Sequence, residues 1–262
     1  MYDAARARRR GAVVPSPIFL ALVAATLAGG ALAREADDRP AQRIGVFVLV
    51  VAGWLVTLCL HEFAHAYVAY RGGDRSVAGA GYLTLNPLKY AHPLLSIALP
   101  LLFIVQGGIG LPGGAVFLHR HAIRTRAARS LSAAAGPAVN AVFAAVLLSL
   151  ASRHGAGGAH TVFWAGVAFL GFLQVTAAVL NLLPIPGLDG YAIIEPYLDA
   201  GTVRSLEPVK PFGLLGVLVL LQVEQINEGF FGLVDRFYGA TGASDALRAY
   251  GFALFRFWRE LS

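Results

Sequence analysis

Charged side chains are scarce in this chain: Asp, Glu, Lys and Arg make up 14% of its 262 residues, against about 25% in ordinary soluble domains. With 57% of the residues hydrophobic, that scarcity excludes a water-soluble domain and points to an integral membrane protein. Cysteine is rarer still. The single Cys59 excludes an intramolecular disulfide, and a lone cysteine in an apolar segment ordinarily serves as a small hydrophobic side chain. The excess of 21 basic over 15 acidic residues is gathered into short clusters between apolar runs. That is the pattern of loops facing the cytoplasm, and it gives no reason to expect a nucleic-acid partner. There is no long internal repeat and no polar stretch long enough for a soluble domain, so residues 1–262 read as one membrane-embedded domain. Nor do polar residues line several apolar runs in series, which argues against a metal-ion transporter.

What is present is His61-Glu62-Phe63-Ala64-His65, an H-E-x-x-H sequence at the end of an apolar run. Histidines at i and i+4 share one helix face, about 6 Å apart along the axis, close enough for both imidazoles to reach a single Zn²⁺. Glu62 follows on an adjacent face, where its carboxylate can take a proton from a water acidified by the metal. Residues 44–60 carry no charge, so three ionisable side chains lie at membrane depth. Such groups are costly there and mark function. The bland alternative is a histidine pair satisfied by helix–helix hydrogen bonds.

Taken in order, Arg6, Arg8, Arg9 and Arg10 precede an apolar stretch at 13–33, which places the N-terminus inside. Ala31-Leu32-Ala33 resembles a signal-peptidase site, but the stretch is long enough to be a retained anchor, with residues 1–43 forming anchor and loop. A second span at 44–70 runs inward, and the rise of a helix puts His65 and His61 about 9 and 15 Å from its end. Residues 76–92 are Gly-rich and then alternate through Tyr82, Leu83, Thr84 and Leu85, which predicts a short β element at the cytoplasmic face. Residues 93–118 are apolar but broken by Pro100, Gly107, Gly108, Gly110, Pro112, Gly113 and Gly114; each half is too short to cross, which predicts a re-entrant hairpin. Spans follow at 131–150 and 161–183. Residues 201–262 hold a further span beginning at Phe212 and, from Ala246, a segment of aromatic residues and arginines suited to an interfacial helix. The fold class is therefore all-α polytopic, with about five transmembrane helices.

A catalytic zinc takes three protein ligands and keeps one position open. The other histidines, His92, His119, His121, His154 and His160, fall in loops or beside charged clusters. Asp189 follows a long apolar segment within a Pro-rich break; composition alone leaves it open between a ligand and an ordinary turn aspartate.

Three motifs in order, His61-Glu62-x-x-His65, Gly136-Pro137-Ala138-Val139-Asn140 and the run Asn181-Leu182-Leu183-Pro184-Ile185-Pro186-Gly187-Leu188-Asp189-Gly190, resemble the signatures of the site-2 protease family of intramembrane zinc metalloproteases. Leu83-Thr84-Leu85-Asn86-Pro87-Leu88 further resembles its compact bacterial branch without a PDZ domain. The similarity covers residues 44–200, the expected catalytic core. It implies that His61, His65 and Asp189 hold one Zn²⁺ per chain, that Glu62 is the catalytic acid/base, and that the partners are transmembrane protein substrates within a lipid bilayer. The chain departs from the branch at His92, where an aspartate is usual, and at Tyr191, where a second glycine is frequent and where a bulky ring could narrow access to the metal. Asn140, at the depth of the histidines, reads either as a helix–helix hydrogen bond or as a catalytic amide donating to the attacked carbonyl oxygen. The function expected is an intramembrane zinc endopeptidase of the cell membrane, multi-pass, with its active site toward the cytoplasm. The alternative is a catalytically silent protein that binds helices or metal, against which Glu62 speaks, since a pure binder needs no carboxylate there.

Overall fold

Four apolar runs become long helices in the computed structural model, which describes residues 13–90, 119–155 and 158–256. They are α1 (Pro17–Glu35), α2 (Arg39–Gly72), α5 (Arg126–His154) and α6 (Thr161–Asn181), each long and apolar enough to cross a membrane. Their starts follow local chemistry. Ser16 Oγ accepts from Phe19 N, Asp38 Oδ1 from Ala41 N and Thr125 Oγ1 from Ala128 N, each satisfying a backbone donor that the first turn leaves open. Gly73, at φ 126°, ends α2 in a conformation that favours glycine. With 34 residues, α2 is about 50 Å long and exceeds the roughly 30 Å hydrocarbon layer.

Helix α6 is buried on every side from Ala165 to Asn181, which is why its sequence is apolar all round rather than along one stripe. Helices α2 and α5 pack against it and against each other, and α1 packs on α2. The α1–α2 contact is close enough that a Cβ on Gly29 would lie 2.5 Å from Leu49 N, so the small residue is required there. Directions follow from the contacts. His65 meets Ser132 early in α5 and His61 meets Asn140 two turns later, so α5 runs antiparallel to α2. Gly53 faces Leu170 and Thr57 meets Gln174, so α6 runs parallel to α2. The end of α6 therefore returns to the half of the bundle that holds the histidines, the parity that Asp189 needs.

The β element expected within 76–92 is not seen among the described residues 76–90. Two single-turn helices, α3 (Ser76–Gly79) and α4 (Pro87–Tyr90), flank a 3₁₀ turn at Tyr82–Thr84. Gly81 (φ 81°) and Leu85 (φ 54°) are left-handed, which breaks the alternation a strand requires. The first turn is anchored by buried Asp74, whose carboxylate accepts from Ser76 N, Ser76 Oγ and His119 N. The re-entrant hairpin expected at 93–118 lies outside the described residues, as does His92.

After α6, the chain forms α7 (Asp189–Ile194), α8 (Ala200–Leu206), α9 (Gly213–Leu220), α10 (Glu224–Gly239) and α11 (Asp245–Phe255). The segment Ala200–Leu220, whose last part is apolar, is followed by α10 at a 97° bend, so a fifth crossing exists only if this pair is counted as one broken span. The bend falls where Glu224, Gln225, Asn227 and Glu228 interrupt the apolar run. Helix α11, expected at the interface, buries Leu247, Gly251, Leu254 and Phe255. It lies along α6 closely enough that a Cβ on Gly251 would enter the carbonyl of Ala165. Cys59 is fully buried beside Phe19 and Leu85, as an apolar side chain would be.

Candidate metal centre

Helical periodicity places His61 and His65 one turn apart on the same face of α2, with ring centroids 4.7 Å apart and their planes at 76°. Their Nε2 atoms lie 3.0 Å from each other and 3.3 Å each from Asp189 Oδ2. The three candidate ligand atoms fall within 4.8 Å of one another, and no other such group occurs among the described residues. Asp189 reaches the histidines because the break at Leu182–Leu188 turns the chain back, after which α7 starts with Asp189 as its first residue. The break is tightly packed. Gly187 takes φ 98°, and a Cβ there would strike the carbonyl of Lys210. Ser130 Oγ donates to Ile193 O at 2.6 Å, holding α7 against the first turns of α5.

The remaining ring nitrogens are also engaged. His65 Nδ1 is 2.7 Å from Ser132 O, a carbonyl that can only accept, so Nδ1 carries a proton and the neutral ring has its lone pair on Nε2. Ser132 Oγ in turn donates to His65 O. His61 Nδ1 is 2.6 Å from Asn140 Oδ1, which assigns the same tautomer to His61. Two imidazole lone pairs and a carboxylate oxygen thus converge on one point, an arrangement of three acceptors that repels itself unless a cation lies among them. Two nitrogens and one oxygen are a donor set that zinc takes, with a fourth position left over. Hydrogen bonds from the far ring nitrogen to protein oxygens are the usual support of such ligands.

Space for the ion comes from α5. A Cβ on Gly136 would fall on His65 Nε2 and lie 2.5 Å from His61 Nε2, so only glycine lets α5 approach without occupying the point of convergence. Exposure is uneven around that point. The side chains of His61 and His65 keep 7% and 8% while Asp189 keeps 23%, so the site opens on the Asp189 side. Glu62, one residue and about 100° around the helix from His61, is itself buried.

All four residues expected to carry chemistry on the ligand side, His61, Glu62, His65 and Asp189, lie in this half of the bundle. Asn140 lies behind His61 rather than on the open side. Its Oδ1 faces the ring and its Nδ2 donates to Gln174 Oε1 at 3.2 Å, so donation to a substrate oxygen would require it to leave Gln174. Tyr191 is buried in α7, with Lys210 Nζ 5.6 Å from its ring centroid. His119 pairs with Ser76, and His160 with Arg34 O; neither approaches the centre. The sequence reading missed Ser132, Gln174 and Thr57 as parts of the site and had Gly136 only as a motif residue, not as the neighbour of the ligand atoms. For Gln174 a signal existed, an amide in the middle of an otherwise apolar span.

Comparison with known proteins points to a zinc enzyme. The chain is 56% identical over 251 residues to a protein of Mycolicibacterium smegmatis named "Putative zinc metalloprotease Rip2", covering 95% of this chain and 96% of the relative. It is 54% identical over 252 residues to the protein of the same name from Mycobacterium tuberculosis, with the same coverage. YwhC of Bacillus subtilis, also named as a zinc metalloprotease, is 33% identical over 176 residues, 63% of this chain and 76% of the relative. No protein-family model and no solved structure matches the chain.

Proposed function

Because this chain belongs to the site-2 protease family of zinc metalloproteases, we propose that it is an intramembrane endopeptidase hydrolysing peptide bonds in or near the transmembrane helices of membrane-protein substrates. The observation that carries this reading is the convergence of His61, His65 and Asp189 within helices long and apolar enough to span a bilayer, with Glu62 beside them. These three residues would hold the zinc. When bound, the ion supplies Lewis acidity, lowering the pKa of water toward about 7 and polarising a carbonyl. Glu62 receives the proton of the attacking water as its oxygen bonds to the carbonyl carbon. When the C–N bond breaks, the same carboxyl returns the proton to the leaving amine nitrogen. A substrate helix hides its peptide bonds in its own hydrogen-bond ladder, so it must unwind locally before attack. The partly exposed flank at Asp189 is the side from which an unwound segment reaches the centre.

The direct test is zinc content of the purified protein followed by cleavage of a helical membrane substrate with and without a chelator. One zinc per chain and chelator-sensitive hydrolysis are expected. Tight zinc binding without cleavage of any membrane substrate, including those sought by comparing membrane proteomes of wild-type and Glu62→Ala cells, would instead indicate a silent binder.

Orientation follows from charge. Arg71, Arg75, Arg124, Arg126 and Arg129 cluster at the histidine end of the bundle, where Arg124 N donates to Gly72 O. By the positive-inside rule this clustering supports a cytoplasmic position for that end and for the active site, in keeping with our reading of a multi-pass protein of the cell membrane. Single cysteines at His121 and Gly158, in a Cys59→Ala background, are expected to react with impermeant reagents from the cytoplasmic and the opposite side respectively. Reaction of both from one side would sink this topology.

A further inference from the structure

Behind His61 a chain of hydrogen bonds crosses three helices. Thr57 Oγ1 donates to Trp54 O (2.9 Å), Gln174 Nε2 donates to Thr57 Oγ1 (2.8 Å), Asn140 Nδ2 donates to Gln174 Oε1 (3.2 Å), and Asn140 Oδ1 faces His61 Nδ1 (2.6 Å). Thr57, Gln174 and Asn140 are 3%, 0% and 4% exposed, so water does not compete for these bonds. The polarity of the chain is fixed from its far end. Trp54 O only accepts, so the Thr57 hydroxyl proton is committed to it and Thr57 Oγ1 must accept from the Gln174 amide. Gln174 then has its oxygen toward α5, Asn140 turns its amide nitrogen toward that oxygen, and Asn140 Oδ1 is left for His61.

We infer that Gln174 and Thr57 are positioning residues for the metal centre, acting through Asn140 to hold His61 with its proton on Nδ1 and its Nε2 lone pair toward the ion. An isolated asparagine could present either end of its amide to the ring. With its nitrogen inward it would donate to Nδ1, moving the ring proton to Nε2 and blocking the ligand position. His65 needs no such device, because its Nδ1 meets the backbone carbonyl of Ser132 directly. The separate roles these residues have elsewhere are modest. A threonine hydroxyl commonly bonds a carbonyl three or four residues back, and a buried amide commonly bridges membrane helices. What sets them apart here is that both lie in one unidirectional series ending on a metal-ligating ring. The inference rests on His61 being a zinc ligand, as proposed above.

The test is zinc affinity of the full-length protein in detergent, by competition with a chelator of known affinity, alongside thermal stability of the zinc-free form. Thr57→Val and Gln174→Met should each weaken zinc binding by about 10–100-fold, the usual effect of removing support from a ligating histidine. Thr57→Ser, which keeps the hydroxyl, should restore wild-type affinity. Thr57→Val is nearly isosteric and keeps the test open if Gln174→Met does not fold. Wild-type affinity in the Thr57→Val and Gln174→Met proteins, or a Thr57→Ser protein as weak as Thr57→Val, would overturn the inference. His61→Ala separates the two levels of argument. If it loses zinc while the other variants do not, the relay is wrong and the metal centre stands; if it binds zinc like wild type, the metal centre itself is misassigned.

Discussion

Glu62→Ala is expected to lower turnover by at least about 10²-fold, since a positioned acid/base contributes roughly 10²–10⁴ in rate, while zinc content stays at the wild-type level. The two halves of this expectation have separate causes. Glu62 is not among the three groups whose ligand atoms converge, so its removal leaves the donor set intact. It is nevertheless buried one position from His61 on the same helix, which is where a proton carrier for an attacking water has to be. Glu62→Gln keeps the volume and polarity but not the basic carboxylate, and should be impaired to a similar degree. The check is single-turnover cleavage of a membrane substrate together with metal analysis of the same preparations. Cleavage at the wild-type rate by Glu62→Ala protein would defeat the proposed mechanism, and loss of zinc from it would mean that the carboxylate belongs to the ligand set.

Much of this centre was legible in the sequence because α-helical periodicity alone brings His61 and His65 together, and because ionisable groups in an apolar run stand out. Asp189 was harder. Its pairing with the histidines depends on two intervening helices of opposite direction, so residues alone left it open, and only the order of motifs pointed to it. The support behind the histidines was legible only in part: Asn140 stood out as a polar side chain at their depth, but its partners did not. Ser132 reaches the ring through its backbone carbonyl, which any residue would supply, and Thr57 and Gln174 lie on different helices, 117 residues apart in sequence. The same limit explains the miss at 76–90. Three or four alternating residues suggest a strand, yet positive φ at Gly81 and Leu85 and the carboxylate of Asp74 set the backbone into turns. At the C-terminal end, sequence polarity located the interruption near Glu224 but not the 97° bend there.

Gly136→Ala is expected to weaken zinc binding sharply without unfolding the protein. Taken alone, glycine within a helix is unfavourable by about 0.5–1 kcal/mol relative to alanine, so α5 would gain from the substitution were the helix by itself. The position next to it, Pro137, already leaves α5 without one backbone donor, which makes a tolerated glycine there less easily explained by helix stability. The geometry supplies the reason: the added Cβ would fall on His65 Nε2 and 2.5 Å from His61 Nε2, in the space the ligand atoms surround. Overpacking of a well-filled site costs about 1–3 kcal/mol, which corresponds to roughly 5- to 150-fold in affinity. In zinc-free protein the rings can yield to the methyl group at the cost of at most their bonds to Asn140 and Ser132, so the melting temperature without metal should fall by less than the zinc-dependent stabilisation does. With metal they cannot, and the stabilisation conferred by a given zinc concentration should shrink by the same increment as the binding free energy. Thermal unfolding with and without zinc, run on wild-type and Gly136→Ala protein, separates these effects. An alanine variant that gains as much stability from zinc as wild type does would show that the ion is held elsewhere than between His61, His65 and Asp189.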